Sequence, residues 1–182
     1  GLYSAFFPPL LSGIGDAAVE FGHTVLLFDS NRSLSTEKAL IEKLVRRGTR
    51  SIIVDSICDV AREKEYFDDL TERLVGDLGL CVVMLEREVK REAFHSIFVD
   101  NYQAGYEAVK HLIDLGRRQI AHIGGFSLFP HSHVRAKAYR AALLDHGLPC
   151  EEWRMLQGDF SPLSGFAAMN EFLDKGVRMD AV

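Results

Sequence analysis

The sequence is poor in cysteine and has no cysteine pair at metal-binding or redox spacing. Its 182 residues contain three cysteines, an odd number with no C-x-x-C motif, so neither a disulfide framework nor a zinc site is predicted. Cys81 lies inside an apolar run and is expected to be a buried small hydrophobe. This cysteine usage indicates a reducing cytoplasm.

Long apolar runs and low-complexity tracts are also missing. No run approaches the roughly 18 apolar residues that would span a bilayer. Residues 1–11 are apolar but have no basic segment before them, so a signal peptide is not predicted. With 47% hydrophobic and 26% charged residues, the chain has an ordinary globular composition, and neither membrane insertion nor disorder is expected.

The sequence also has no excess of basic residues. The net charge is −5, and Lys and Arg are mixed with Asp and Glu along the chain. A DNA-binding surface should be basic. These residues are therefore not expected to contact DNA directly.

Short apolar runs alternate with longer stretches of helical periodicity, which indicates a parallel α/β fold. The runs are apolar on both faces, as in strands covered by helices on each side, so a doubly wound architecture is predicted. The predicted strands are Thr24–Phe28, Ser51–Val54, Leu80–Leu85, Ser96–Val99, Gln119–Ile123, Arg154–Gln157 and the opening of one more at Asp180. The predicted helices are Pro8–Phe21, one N-capped by Ser35, Tyr66–Leu78, Tyr102–Leu115, Ser132–His146 and Leu163–Lys175.

Both ends of the pattern look truncated. The chain opens on a loop and a helix without a preceding strand, and it closes at the start of a strand. We expect flanking residues, because a βα fold without its first strand leaves an unpaired sheet edge.

Four segments carry a family resemblance. Residues 4–14 are similar to S-P-F-F-x-x-L-x-x-G-I, and residues 99–125 to D-N-x-x-G followed by A-V-x-H-L-I-x-L-G-H-R-R-I-A-H-I-G-G. Residues 132–139 resemble S-x-x-R-x-x-G-[YF], and residues 158–166 resemble G-D-F…S-G-[YF]. These patterns, in this order, are those of the LacI/GalR family of transcription regulators. Ala138 and Arg117 depart from them, at positions where the family usually has Gly and His.

The resemblance implies two tandem lobes with an effector in the cleft between them. Residues 1–99 would form the N-terminal lobe, without its first strand, and 100–182 an incomplete C-terminal lobe. The family's DNA-binding headpiece would precede residue 1. The expected protein is a homodimeric regulator, not an enzyme, that binds a sugar or related metabolite and needs no cofactor.

Candidate ligand contacts follow from the motifs and from the rule that open α/β sheets bind ligands at their carboxyl edge. Phe6 and Phe7 offer flat apolar faces for a sugar ring or a base, or else staple their loop to the next helix. Arg135 would be a surface arginine by composition alone, but its place in the S-x-x-R motif makes it the main candidate for a polar clamp. Phe160 follows a predicted strand and belongs either to the cleft or to the core.

Asp100 could bind the effector or N-cap the next helix, with Gln103 completing a capping box; capping is favoured. Phe129 and His131 lie before the Arg135 helix and could line the cleft. His131 and His133 could begin a metal site, but no third ligand has a recognisable spacing, so no metal is predicted.

Two other functional classes remain open. A periplasmic sugar-binding protein shares the two-lobed fold, and a secretion signal upstream would favour it. An enzyme on a doubly wound sheet is the third hypothesis, although the sequence has no nucleotide-binding glycine motif, nucleophile elbow or identifiable carboxylate pair.

Overall fold

The computed structural model describes residues 6–59, 61–127 and 129–182. They form two compact units, Gly1–Arg50 and Ser51–Val182. The second unit contains two parallel sheets, and helices lie in two of the three connections between their strands, so the prediction of a parallel α/β fold is confirmed. The proposed lobe boundary after residue 99 stays a prediction.

The first unit contains two helices, α1 (Phe7–Glu20) and α2 (Leu34–Arg46). The cap of α2 is Ser33, whose hydroxyl accepts a hydrogen bond from the Thr36 amide at 3.2 Å, so the prediction of Ser35 is wrong by two residues. The predicted strand Thr24–Phe28 is also wrong: the segment has no strand hydrogen bonds to the described residues, and its apolar side chains are exposed. An apolar run becomes a strand only where a neighbouring strand pairs with its backbone.

In the second unit, three strands form one parallel sheet in the order β1–β2–β3. They are β1 (Ser51–Val54), β2 (Cys81–Leu85) and β3 (Phe94–Ile97). Between β1 and β2 the chain forms α3 (Glu63–Leu70), which continues as a π-helix over Thr71–Asp77. The aromatic side chains of α3 are almost fully buried and supply much of this sheet's core.

Burial alternates along β1, because successive side chains of a strand point to opposite faces. Ile52 and Val54 are buried, whereas Ile53 is 47% exposed, so the prediction that both faces are covered is wrong for the described part of β1. Cys81 pairs with Ser51 at the start of β2 and is exposed. The prediction of a buried Cys81 is therefore wrong: it lies at the strand end, next to an exposed residue.

Two further strands, β4 (His122–Gly124) and β5 (Met155–Gln157), form the second parallel sheet. The helices of this region are α4 (Asn101–Asp114), α5 (Pro130–Asp145) and α6 (Pro162–Asp174), and a short 3₁₀ turn, Glu152–Arg154, precedes β5. Near the chain's last residue, Ala181 forms an isolated parallel bridge with Ile120, which matches the strand opening expected there.

Helices α4 and α5 pack closely against each other. A Cβ on Gly105 would lie 3.1 Å from the Cβ of Ala138, and Ala138 is fully buried. Ala138 therefore occupies the family's glycine position as a packing residue, opposite a glycine on the other helix. The buried cluster beside this contact comprises Val109, Ile113, Ile120, Tyr139, Ala142 and Leu143. In the part of the chain that the structure describes, no helix is long and apolar enough to cross a membrane.

Candidate functional site

A pocket of about 410 Å³ opens where β4 and β5 end. The carboxyl ends of parallel strands and the first turns of the helices that follow them meet there, which is the usual ligand position in open α/β sheets. Its walls come from the ends of both strands, the start of α5 and the start of α6. They include His122, Gly125, Ser132, Arg135, Phe160 and Ser164.

Arg135 is held at the pocket by a side chain of the neighbouring helix. Its Nε donates a hydrogen bond of 2.7 Å to Oδ1 of Asn101, the first residue of α4. Asn101 is buried, and its own amide donates to the carbonyl of Val99 at 3.0 Å. Among the residues that the structure describes, neither terminal nitrogen of Arg135 has a hydrogen-bond partner, so these donors remain available to a ligand.

Phe160 lies directly over the end of β4. A Cβ on Gly125 would come within 1.9 Å of the ring atom Cζ of Phe160, so only glycine leaves room for the ring. Phe160 has a φ of +67°, a left-handed conformation that is strained for a bulky residue. The turn is supported by Asp159, whose carboxylate accepts a hydrogen bond from the Ser161 amide at 2.8 Å.

Aromatic rings at the start of α5 and in the loop before it lie close to Phe160. His131 stacks on Phe129 with 5.3 Å between ring centroids, and it lies 5.4 Å from the Phe160 ring. Phe126 contacts Phe129 from the other side at 5.7 Å. The structure thus brings four predicted site residues to one place: Phe129, His131, Arg135 and Phe160.

His131 is kept neutral in this cluster. Burial, together with the positive charges of Arg135 and Arg87, lowers the pKa of its imidazole to about 4. Arg87 follows β2 and is itself buried. Its Nη2 donates to the Cys58 carbonyl at 2.5 Å, and its guanidinium lies 5.4 Å from the centre of the Phe67 ring.

Two buried polar atoms beside the pocket lack hydrogen-bond partners among the described residues: Oγ of Ser132 and Nε2 of His122. Ser132 is only 7% exposed. The His122 ring stacks on Tyr139 at 5.1 Å, and burial, together with the nearby Arg140 charge, lowers the pKa of His122. An unpaired buried polar group is costly, so both atoms are candidates to bind a ligand.

Asp100 caps α4, as the favoured interpretation held. Its Oδ1 accepts a hydrogen bond from the Gln103 amide at 2.9 Å. The expected capping box is incomplete, because the Gln103 side chain donates to Glu107 instead. A ligand role for Asp100 stays a prediction.

Phe6 and Phe7 stand at the start of α1, where their rings make an edge-to-face contact at 5.2 Å. Phe6 is 46% exposed, and its role as a ligand contact, like that of Phe7, stays a prediction. Residues 4 and 5 of their motif lie outside the described residues. Within the described ranges no three His, Cys, Asp or Glu side chains come together as a metal site, and His133, beside His131, is exposed.

Sequence reasoning missed Asn101, Ser132, His122 and Arg87. Asn101 and Ser132 stand inside the recognised D-N and S-x-x-R motifs, so the motifs contained a signal for them. Their partners, or the lack of partners, depend on tertiary contacts that spacing does not reveal.

Comparison with known proteins identifies the family. Residues 2–182 match the sequence profile described as periplasmic binding proteins and sugar binding domain of LacI family. The chain is 26% identical to the HTH-type transcriptional regulator AscG of Escherichia coli (strain K12), covering 99% of this chain and 52% of AscG. It is 28% identical to the HTH-type transcriptional repressor PurR of Yersinia pestis (strain Pestoides F), covering 97% of this chain and 50% of PurR.

Among solved structures, one similar fold is a sugar-binding transcriptional regulator of the LacI family from Escherichia coli complexed with phosphate. It superposes with a TM-score of 0.80 at 25% identity, over 97% of this chain and 61% of that one. The chain spans about half the length of the curated relatives it matches. Both curated relatives are named as transcription regulators. The chain belongs to the family of periplasmic binding proteins and sugar-binding domains of LacI-type regulators.

Proposed function

We propose that this chain is the effector-sensing part of a DNA-binding transcription regulator in the cytoplasm. The observation that supports this most directly is the pocket at the ends of β4 and β5, which Arg135 and Phe160 both line. Neither terminal nitrogen of Arg135 has a hydrogen-bond partner among the residues that the structure describes. Regulators of this family bind sugar effectors and DNA and act as dimers. DNA contact would come from a headpiece outside this acidic chain.

The proposed effector is a small sugar or related metabolite. The planar guanidinium of Arg135 suits adjacent hydroxyls or a carboxylate, and Phe160, Phe129 and His131 supply ring faces for an apolar side of the ligand. Phe6, Phe7 and Asp100 are proposed as further contacts.

Ligand binding would control DNA binding by a shift between two arrangements of the proposed lobes, residues 1–99 and 100–182. A ligand changes such an equilibrium only if it binds one arrangement more tightly than the other. Contacts from both lobes to one ligand would supply that difference, because they are complete in only one arrangement.

A thermal-shift screen of the full-length regulator tests the proposal. Sugars, nucleosides and purines are compared, because a ligand of the native state raises the melting temperature by mass action. A hit should also change operator affinity in a titration with labelled DNA. A hit that leaves DNA binding unchanged would contradict the regulatory role.

A periplasmic binding protein that delivers sugar to a transporter is the second candidate. The family description includes such proteins, whereas both curated relatives named above are transcription regulators. Fractionation of cells that express the full gene separates the two: the regulator stays with cytoplasmic markers, and a periplasmic protein is released by osmotic shock.

We expect the full-length regulator to be a homodimer, because closed two-fold assemblies match two-fold operators. Helix α6 supports a self-contact, since Leu163, Phe166 and Leu173 on it are exposed. Sedimentation velocity at micromolar concentration is the test. A strictly monomeric species would contradict the expectation.

A further inference from the structure

We infer that the pocket at the ends of β4 and β5 binds an anionic oxygen group of the effector, a phosphoryl or carboxylate group, through Ser132 and Arg135. The inference rests on the proposed function and narrows it to a class of ligand: a metabolite with an acidic group, rather than a neutral sugar or base. Three features of the pocket support it.

The first feature is charge. The residues that line the pocket in the described part of the chain include one arginine and no Asp or Glu. Nε of Arg135 is engaged with the neutral Asn101 amide at 2.7 Å and not with a carboxylate. Its positive charge therefore has no counter-ion at the pocket, and an anionic ligand oxygen would provide one through charge-assisted hydrogen bonds.

The second feature is the pair of unpartnered polar atoms. Ser132 is only 7% exposed. Its Oγ atom has no hydrogen-bond partner among the described residues. Nε2 of His122, at the start of β4, is also buried without a hydrogen-bond partner among the described residues. A hydroxyl and a neutral imidazole can each donate one hydrogen bond to an oxygen, and neither adds a competing negative charge.

The third feature is the direction of two helices. Ser132 lies in the first turn of α5, a helix of 16 residues, and Pro162 and Ser164 lie in the first turn of α6, of 13 residues. All three line the same pocket. The amino ends of helices have a partial positive charge, so two of them at one pocket favour an anion.

The surroundings of the His131 imidazole also support an anionic ligand. His131 contacts the Phe160 ring and is affected by the charges of Arg135 and Arg87. An anion close to Arg135 would offset part of this positive charge, whereas a cationic ligand would add to the repulsion.

The experiment uses the full-length regulator and inorganic phosphate as the probe, with acetate as the carboxylate arm and potassium chloride at equal ionic strength as the salt control. We expect phosphate, acetate or both to raise the melting temperature well beyond the chloride control. Ser132→Ala should weaken that binding about tenfold, the equivalent of one charge-assisted hydrogen bond. Ser12→Ala, at an exposed position on α1, is the matched control and should bind like wild type.

Ligand-free stability separates a binding role of Ser132 from a structural one. Removal of an unpartnered buried hydroxyl should leave the melting temperature unchanged or raise it. Weaker anion binding together with undiminished stability supports the inference. If both anions stabilise no more than chloride, or if Ser132→Ala binds them like wild type, the inference is wrong.

Failure of this inference is distinguishable from failure of the proposed function. Glucose and glucose 6-phosphate are titrated in parallel as a neutral and an anionic probe, alongside the neutral ligands of the screen. If neutral ligands bind and alter DNA affinity while the anionic probes do not bind, the sensing function stands and the anion site is refuted. If no small molecule of either class binds, the proposed function fails as well.

Discussion

Asn101 fixes the orientation of Arg135. The Oδ1 atom of Asn101 accepts a hydrogen bond from Nε of Arg135 at 2.7 Å, across the interface between α4 and α5. A long side chain that is already held at Nε loses less conformational freedom when its terminal nitrogens bind a ligand. In the proposed function, Asn101 is a positioning residue and Arg135 is a ligand contact, so the two residues have separate expected effects.

Arg135→Ala should weaken effector binding by roughly ten- to a hundredfold, because a charge-assisted hydrogen bond contributes about 1.5–3 kcal/mol. The side chain is exposed and Ala favours a helix, but Oδ1 of the buried Asn101 loses its donor. The melting temperature without ligand should therefore fall only modestly. Arg135→Lys should restore binding only in part, because an ammonium group lacks the planar fork. Calorimetric titration measures all three proteins. Lys137→Ala, an exposed cation on the same helix, is the control, and unchanged affinity in Arg135→Ala would refute the assignment.

Asn101→Ala should weaken effector binding several-fold and also lower stability, because the Val99 carbonyl loses its donor. Asn101→Asp keeps an acceptor for Arg135 but loses the bond to Val99. Its carboxylate would become the counter-ion that the amide does not provide, so an anionic effector should bind more weakly, whereas a neutral one should keep most of its affinity. A double-mutant cycle of Asn101→Ala with Arg135→Ala should show non-additive losses in binding energy, as expected for residues in contact. Additive losses would mean that Asn101 does not act through Arg135.

Gly125→Ala should displace the Phe160 ring, because the new methyl group would lie 1.9 Å from Cζ. We expect effector affinity to fall by about tenfold or more, while stability falls less, since Phe160 is 43% exposed and can turn away. Phe160→Ala in the same chain should remove the clash and restore the stability, but not the affinity. Gly13→Ala, where a Cβ meets nothing within 4 Å, is the control. Full affinity in Gly125→Ala would show that the ring is not a ligand contact.

Because His131 is neutral in the folded protein, we expect the free energy of unfolding to depend on pH. The pKa of His131 is about 4 in the folded protein and near 6.5 in an unfolded chain, so the unfolded state binds more protons between these values. Stability should be complete above about pH 6.5 and should fall as the pH decreases towards 4. Denaturant unfolding at several pH values measures this. His131→Gln should reduce the slope in that window; equal slopes in wild type and His131→Gln would contradict the assignment.

Bound phosphate should raise the pKa of His131, because a negative charge nearby stabilises the imidazolium. NMR titration of the imidazole proton signals with and without phosphate would detect this. An unchanged His131 titration in a phosphate-saturated protein would place the anion elsewhere.

Local pattern predicted much of this fold, and tertiary context explains the exceptions. The strand Ser51–Val54 and the helices after residue 100 are close to their predicted bounds, because their periodicity and end signals agree. The predicted strand Thr24–Phe28 was wrong because a strand requires backbone hydrogen bonds to a neighbouring strand, and an apolar sequence alone does not supply them. The π-helix at Thr71–Asp77 has the same apolar spacing as an α-helix, and the pattern could not distinguish the two.

The site was predictable to the extent that it follows strand ends. Phe160 follows the predicted strand Arg154–Gln157, and Phe129, His131 and Arg135 belong to the loop and the first two turns of the helix after the predicted strand Gln119–Ile123. They meet because both strands end at the same edge of the sheet. The bond between Arg135 and Asn101 joins residues 34 positions apart, and the unpartnered state of Ser132 depends on what surrounds it in space. Neither property has a local sequence signature.

Arg87 and Arg135 both act on the His131 imidazole, although one follows the three-stranded sheet and the other stands beside the two-stranded one. Arg87 is also bonded to the loop after β1. Neutralisation of Arg135 by a bound anion would remove one of the two positive charges that oppose protonation of His131, while the Arg87 charge stays in place. Occupancy of the pocket would thus be recorded in the protonation of a single ring, which lies outside the pocket wall.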